Sequence, residues 1–533
     1  MNVLSQDVLV ALEKAVADAC SNVFATLDSQ PPGAIGLLEA RSIIYKVVGR
    51  VWSQATTRRN LSRSGSARLP PEVLCAVFTF LDFNDRVRAS HVCHRWRHIS
   101  LENPTSLWAF IPGDHRPKVI SALLDRADEI PVVLENILLT EENAVRIGRS
   151  LNDHMDHIKA LKLELAESYL ETPERLWDAL NSFAPLLEKL VIFDKAGQKL
   201  SVEDDLSRLF DENAPLLRIL KLYDLRDMLS ECIASTTIDT FFIGSRISIT
   251  DVADAFDRFP NLSTLGLELY YPSDRADSDD LELPLRPPKS LQWIKMAIRT
   301  PEIVAGVLSH IVLEGISEID ICYLGWQSYD QFAILSSLGM GAPTSVELGV
   351  HPGGQYDLEP TFFMALTDDA GRRRTFQDLV GGSFGPMQCD YTLVVSLSLS
   401  LRVLVEQWVN RPFTTLPALK ALGVVFEGLD ADLSLKDMLT WDGSSLACPS
   451  LSNLDCSMSA GTQSTATISA SDMLAFIRRY ILPSGKLQKL CFHGFGAIDQ
   501  ASADLQNLAS TVIFSPACND NLLLRPAARL AWD

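Results

Sequence analysis

Leu69–Ser100 reads LPPEVLCAVFTFLDFNDRVRASHVCHRWRHIS. A residue that precedes proline is pushed out of helical dihedrals, so Leu69-Pro70-Pro71 predicts an extended entry. Pro71 then suits the first turn of a helix, where its missing N–H costs nothing, and Glu72 sits at the positive end of the dipole. Leu74, Val77, Phe78 and Leu81 recur at helical spacing, and Val73, Ala76 and Phe80 make a second apolar row. Asp82-Phe83-Asn84-Asp85 predicts a stop and restart with Asn84 or Asp85 as N-cap. One helix is then expected to carry Ala89, Val92, Cys93, Trp96 and Ile99 on one face and Arg88, His91, Arg95 and His98 on the other. Asn103-Pro104 ends it, and Leu107-Trp108 adds an apolar pair. A module of about 40 residues is marginal without disulfides, metal or a partner. A helix apolar on both sides is buried on both sides, so part of this surface calls for a cover from elsewhere.

The stretch resembles the F-box, the motif that docks a protein onto the Skp-type adaptor of SCF-type cullin–RING ubiquitin ligases. Leu69, Pro70, Glu72, Val73, Leu74, Val77, Phe78, Leu81, Asp85, Val87, Val92, Cys93, Trp96 and Ile99 carry the resemblance. They include an L-P-x-E opening and a V-C-x-x-W close, with Val87 where the family usually has leucine. The resemblance implies that Leu69, Pro70, Leu74, Phe78 and Leu81 lie against the adaptor, through which cullin and RING subunits join. It implies that Val92, Cys93, Trp96 and Ile99 pack the motif itself.

The chain has 533 residues, 47% hydrophobic and 21% charged, a globular composition too long for one ordinary domain. Its formal net charge is −20. Arg41–Pro71 holds seven basic residues and no acidic one, so the remainder sums to −27. An acidic body of this kind predicts no nucleic-acid partner and no anionic-membrane partner. The basic stretch reads as a linker. The 10 cysteines form no C-x-x-C pair, and the N-terminus shows no basic leader, so a reducing, intracellular setting, cytoplasmic or nuclear, is expected. The longest apolar run, Leu393–Val405, is too short to span a bilayer of ~30 Å.

Beyond residue 118 an apolar-x-x-apolar-x-apolar pattern recurs. It appears at Ile158-Leu161-Leu163, Leu187-Leu190-Ile192, Leu217-Leu220-Leu222, Ile238-Phe241-Ile243, Leu262-Leu265-Leu267, Leu291-Ile294-Met296 and Ile316-Ile319-Ile321. It fades at Val346-Leu348 and returns at Val394-Leu397-Leu399, Leu419-Leu422-Val424, Leu451-Leu454-Cys456 and Leu487-Leu490-Phe492. Such a period signals stacked strand–turn–helix units. Helices are expected at 202–213, 249–259, 301–313, 329–338 and 471–481, with Ser201 and Thr250 as N-cap candidates, and Pro185, Pro215 and Pro260 stopping the preceding helices. This part resembles an irregular leucine-rich-repeat horseshoe that lacks the usual asparagine. The stretch 118–136, together with 156–165, is similar to the region after the F-box in many fungal proteins. The fold class expected is α/β: an N-terminal helical F-box module followed by an irregular leucine-rich-repeat-like β/α solenoid. The expected domains are a helical segment with basic linker at 1–60, the F-box at 68–112, the repeat domain at 118–514 and a tail at 515–533. Val8, Leu9, Leu12, Val16 and Val23 keep helical spacing, which predicts a helical hairpin folded back on the F-box, with a short dimerising coil as the alternative.

No constellation of catalytic residues stands out. His91, His94 and His98 lack a second ligand group at metal-site spacing, and His154 and His157 read as a surface helix end, so no metal and no cofactor are expected. Gly381-Gly382-Ser383-Phe384-Gly385 matches G-x-S-x-G, but the flanks are poor for a strand–turn–helix, leaving Ser383 the least unsuitable nucleophile of a hidden enzyme. The expected function is that of a non-catalytic substrate receptor, with a scaffold acting outside ubiquitin transfer as the alternative. A protein target would lie on the strand face. Lys162, Lys189, Lys221, Glu268, Lys295 and Asp320 are its expected contacts, followed by Glu347 and Asp455.

Overall fold

The computed structural model describes residues 6–28, 42, 45–55, 59, 69–166, 174–194, 214–223, 236–245, 247–269, 283–299, 301–323, 335–351, 361–379, 391–405, 415–426, 445–458, 467–495, 497–498 and 503–515. The chain divides into two compact units, Met1–Leu107 and Trp108–Asp533. The expected F-box span, 68–112, runs past this division, since Phe110–Pro112 pairs as the first strand of the second unit.

In the first unit, Gln6–Asp28 is a helix and residues 45–55 are helical. Val10, Val16, Phe24, Val51 and Trp52 stay exposed, so the expected fold-back onto the F-box does not bury them. The Leu69–Leu107 stretch forms helices Pro71–Thr79, Phe83–Ser90, His94–Glu102 and Pro104–Leu107. Pro71 occupies the first turn as expected. The N-cap of the next helix is Asp82, not Asn84 or Asp85; its Oδ1 accepts from the Asp85 N–H at 2.8 Å. The single helix expected after it is two. His91 N–H and Val92 N–H bond back to Arg88 and Ala89 carbonyls and close the first. Cys93 then goes extended (φ −156°, ψ 166°), and its sulfur accepts from Trp96 N–H, starting the second.

The second unit is built on strands β1 (Phe110–Pro112), β2 (Val132–Leu139), β3 (Ile158–Leu165), β4 (Lys189–Asp194), β5 (Ile219–Tyr223), β6 (Thr240–Ser245), β7 (Thr264–Leu269), β8 (Trp293–Ile298) and β9 (Glu318–Tyr323). They continue as β10 (Pro343–His351), β11 (Thr361–Asp368), β12 (Arg373–Leu379), β13 (Ser396–Ser400), β14 (Ala421–Phe426), β15 (Leu446–Cys448) and β16 (Asn453–Met458). The last are β17 (Thr467–Ile468), β18 (Ile481–Pro483), β19 (Leu487–His493), β20 (Ala497–Ile498) and β21 (Ala509–Ser515). Seventeen of these form one sheet; β15–β18 and β17–β20 are separate parallel pairs. Every apolar repeat named above falls on a strand of the large sheet.

The opening apolar residue of most repeats lies two residues before its strand, in a tight turn. Leu187, Leu217, Leu262, Leu291, Ile316, Leu419 and Leu451 each bond back three residues to a carbonyl. Pro185, Pro215, Pro260, Pro417 and Pro449 stand second in these turns, where the fixed φ of proline is already correct. Side-chain hydroxyls tie five of the turns to their predecessors in place of the missing asparagines. Thr237 donates to Leu217 O, Ser263 to Asp239 O, Ser290 to Leu262 O, Ser317 to Gln292 O and Ser452 to Lys420 O. Helices bury one side against the apolar face of the sheet: Phe241 meets Phe259 at the end of helix Ile249–Arg258, and Phe426 meets Phe476 of helix Ala470–Tyr480. Helix Ile249–Arg258 is capped by Ser248 rather than Thr250, because Ser248 and Asp251 bond each other's backbone as a capping box. Helix Pro301–Ser309 ends earlier than expected. The helix expected at 202–213 lies outside the described residues, and of 329–338 only the turn Leu335–Leu338 is described.

From β1 to β9 neighbours are parallel and in chain order. Then the order breaks. β12, not β10, lies beside β9; β11 runs antiparallel between β12 and β10; β10 pairs with β13, and parallel order resumes through β14, β16, β19 and β21. A three-strand meander thus interrupts the parallel run. At its core-facing position stands Arg374, fully buried. Its guanidinium donates to the carbonyls of Leu338, Ile316, Ser317 and Arg373. Burial, with Arg372 nearby, lowers its pKa to about 10, so it remains a cation near neutrality.

Two measurements check these contacts. Gly266 lies under the Phe242 ring, and a Cβ there would sit inside it, whereas Gly306 is exposed on its helix with open space around it. Gly266→Ala is expected to cost about 1–3 kcal/mol in denaturant unfolding through overpacking, and Gly306→Ala to gain about 0.4–1 kcal/mol. Asp368 closes the β11–β12 turn, accepting from Ala370 N, Arg372 N, Gly341 N and the Arg372 guanidinium. Burial opposes its ionisation, but these donors outweigh it and hold the carboxyl below its ordinary value of 3.8. The stabilisation is therefore complete above the unfolded-state pKa and is lost as pH falls through the lower folded-state value. Unfolding of Asp368→Asn from pH 7 to pH 2 is expected to show a deficit of about 1–3 kcal/mol at neutral pH that closes at acid pH.

Candidate functional site

Helix Pro71–Thr79 has two apolar rows, and packing decides which is inside. Leu74 and Phe78 are 2% and 1% exposed, and the Phe78 ring meets Trp96 with centroids 5.2 Å apart. These two residues, expected at the adaptor, belong to the module's own core with Ile99. Val77, expected in the row of Leu74 and Phe78, stays outside with Val73 and Phe80; Val73, Val77 and Phe80 are exposed by 42%, 47% and 89%. Pro70 is exposed and Leu69 and Leu81 are half-buried. Val92, expected to pack the motif, is 62% exposed because it lies in the break between helices, and Cys93 is a surface cap. Arg95 ties the entry strand to the module by donating to Leu69 O.

The strand face opposite the leucine core is the second candidate. Register partners run in one line across the sheet: Lys162, Val191, Lys221, Phe242, Gly266, Lys295, Asp320, Thr375, Ala365, Glu347, Ser398, Gly423, Asp455, Cys491 and Ile513. Lys189 and Glu268 stand on the same face in flanking lines. The sequence pattern therefore assigned the face correctly, but not its accessibility. Lys221, Glu268 and Asp320 are buried at 6%, 9% and 3% exposure, while Lys162, Lys189, Lys295, Glu347 and Asp455 are half-buried. Aromatic rings lie on this face and limit access to it. Phe193 and Tyr223 stack at 4.0 Å, and Val191, Tyr223 and Phe242 form a small buried cluster.

The charges on this face are held by one another and by the rings. Lys162 lies over Phe193, Lys221 over Phe242 and Lys295 over Trp293, the last at 4.0 Å. The Trp293 indole N–H donates to Asp320 at 2.9 Å, and Arg373 grips Glu347 through two hydrogen bonds of 2.8 and 3.0 Å. Burial lowers the pKa of Lys295 although Asp320 and Glu318 pull it upward. Burial raises that of Asp320 against the Trp293 hydrogen bond and the Lys295 and Arg373 charges. Farther along, burial raises the Cys491 thiol to about 11, with Asp455 adding to the rise, and it raises Cys456 farther still.

The remaining motifs resolve simply. His91, His94 and His98 are exposed, His98 pairs with Glu102 at 3.1 Å, and among the described residues they gather no further ligand. His157, expected at a surface helix end, is instead buried. It links to His154 at 3.1 Å and Ile130 O at 2.9 Å, and His154 lies 3.3 Å from Asp125. Ser383 and its glycine loop lie outside the described residues. No helix among the described residues is long and apolar enough to cross a membrane.

A comparison with curated protein sequences finds no match. A comparison with protein-family models finds the F-box-like family at residues 66–111, the segment whose helices carry the uncovered Val73–Val77–Phe80 row. An F-box-like domain therefore occupies this helical part of the chain, which makes the chain an F-box protein.

Proposed function

We propose that this chain is the target-recognition subunit of an SCF-type cullin–RING ubiquitin ligase. An F-box domain implies binding to a Skp-type adaptor. The observation that carries the reading is the apolar surface left on helix Pro71–Thr79 and its C-cap: Val73, Val77 and Phe80 remain exposed after Leu74 and Phe78 have joined the core. Covering a Val or Phe side chain is worth about 1.5–3 kcal/mol, so three neighbours on one helix supply the centre of an interface. Leu69, Pro70 and Leu81 flank them. Cullin and RING subunits then join through the adaptor.

The second unit would hold the target. Its turn–strand repeats and hydroxyl ties support an irregular leucine-rich-repeat-like solenoid, with the face of Lys162, Lys189 and Lys295 toward the bound protein. The chain itself would make and break no bonds. It would raise the effective concentration of a target lysine near a ubiquitin-loaded enzyme.

The test uses purified full chain and purified Skp-type adaptor. Val77→Asp with Phe80→Asp is expected to weaken the complex by at least about 30-fold, the equivalent of one hot-spot residue of ~2 kcal/mol. Thermal unfolding of the double variant should stay close to wild type, because both positions are exposed. Full retention of the adaptor by a folded double variant overturns the docking assignment. Adaptor binding with no ubiquitin on any bound target in the assembled ligase favours a scaffold role instead.

A further inference from the structure

Asp455, Cys491 and His493 bring one carboxylate oxygen, one sulfur and one imidazole nitrogen within 4.8 Å of one another on the strand face. Register puts them there. Asp455 and Cys491 are direct partners on β16 and β19, and His493, two residues beyond Cys491, returns to the same face opposite Ser457. His493 Nε2 lies 4.0 Å from Asp455 Oδ1. Neither the proposed adaptor face nor the lysine end of the sheet uses these residues. Asp455 and His493 are half-buried, which leaves an approach from solvent, while Cys491 is 1% exposed.

We propose that Asp455, Cys491 and His493 form a binding site for a zinc-type divalent cation. Sulfur, nitrogen and oxygen donors together suit a borderline-soft ion and disfavour calcium or magnesium, which take oxygen. Tetrahedral zinc, with bonds of about 2.0–2.3 Å, holds its donors roughly 3.3–3.6 Å apart. The present separations, 4.0 Å between Asp455 and His493 and up to 4.8 Å across the set, are wider, so cation entry requires the Asp455 and His493 side chains to rotate inward. Three protein donors leave one coordination position for water or an incoming group. Lys489 stands two residues before Cys491 on the same strand, β19. It is exposed, so its ammonium can turn to solvent as the cation enters.

The experiment uses the full chain without a histidine tag, stripped of metal, and titrated with Zn²⁺ by calorimetry and with Co²⁺ by absorption. The expected result is one Zn²⁺ per chain, and a Co²⁺ complex with a thiolate charge-transfer band and tetrahedral ligand-field bands. Cys491→Ser should abolish the charge-transfer band. Asp455→Asn and His493→Gln, at half-buried positions, should each lower affinity by more than the roughly 10–100-fold that changes around a metal's ligands produce. Cys93→Ser, at an exposed thiol on the helical unit, should change nothing. A wild-type chain without the thiolate band, or Zn²⁺ binding unchanged in Asp455→Asn and His493→Gln, overturns the proposal.

Discussion

In-register parallel pairing is the constraint on which the second unit depends. Side chains alternate faces along a strand, so a slip of one residue would turn every inward leucine outward. Here Leu163, Ile192, Leu222, Ile243, Leu267, Met296 and Ile321 stay aligned from β3 to β9. The positions between them are therefore aligned too, and a line of lysines, rings and carboxylates appears on the other face. The turn before each strand fixes that phase. Its buried apolar residue and back-bonded N–H, with a hydroxyl tie to the previous turn in five cases, set where the next strand begins.

The meander shows what happens when the phase is kept but the repeat is not. β12 sits where another repeat unit would, but its core position carries Arg374 in place of an aliphatic residue. A buried cation is costly unless hydrogen bonds satisfy it. Four backbone carbonyls from the turn before β9, from Leu338 and from β12 itself do so. The arginine thus joins segments that an ordinary repeat would join by apolar packing. The Glu347–Arg373 pair reaches across β11 on the opposite face and fixes β10 against β12.

The repeat period was legible because aliphatic residues at fixed spacing have one economical use in a parallel sheet. The face assignment came from the same period. Accessibility did not, since it depends on which rings lie flat over a glycine or a lysine of the neighbouring strand, as Phe242 does over Gly266. In the helical unit, the L-P-x-E and V-C-x-x-W signatures were legible, but the choice between the Leu74–Phe78 row and the Val73–Val77–Phe80 row was not. Both are apolar, and Trp96 and Ile99, remote in sequence, select the inner one. The helix break at Cys93 was hidden because a thiol is a weak acceptor and an uncommon cap. The meeting of Asp455 with Cys491 and His493 was hidden because it happens only across strands.

The meander also bears on the order in which the sheet assembles. From β3 to β9 each strand finds its partner in the next unit along the chain. At the junction, Asp320 must wait for Thr375, and Glu347 for Ser398, each across an intervening pair of strands. Closing a loop twice as long costs only about 0.6 kcal/mol more in chain entropy, yet non-local pairings slow folding well beyond that. The junction is thus the late seam between two blocks that zip locally, β1–β9 on one side and β13 onward on the other. It is also where a partially folded chain would part first.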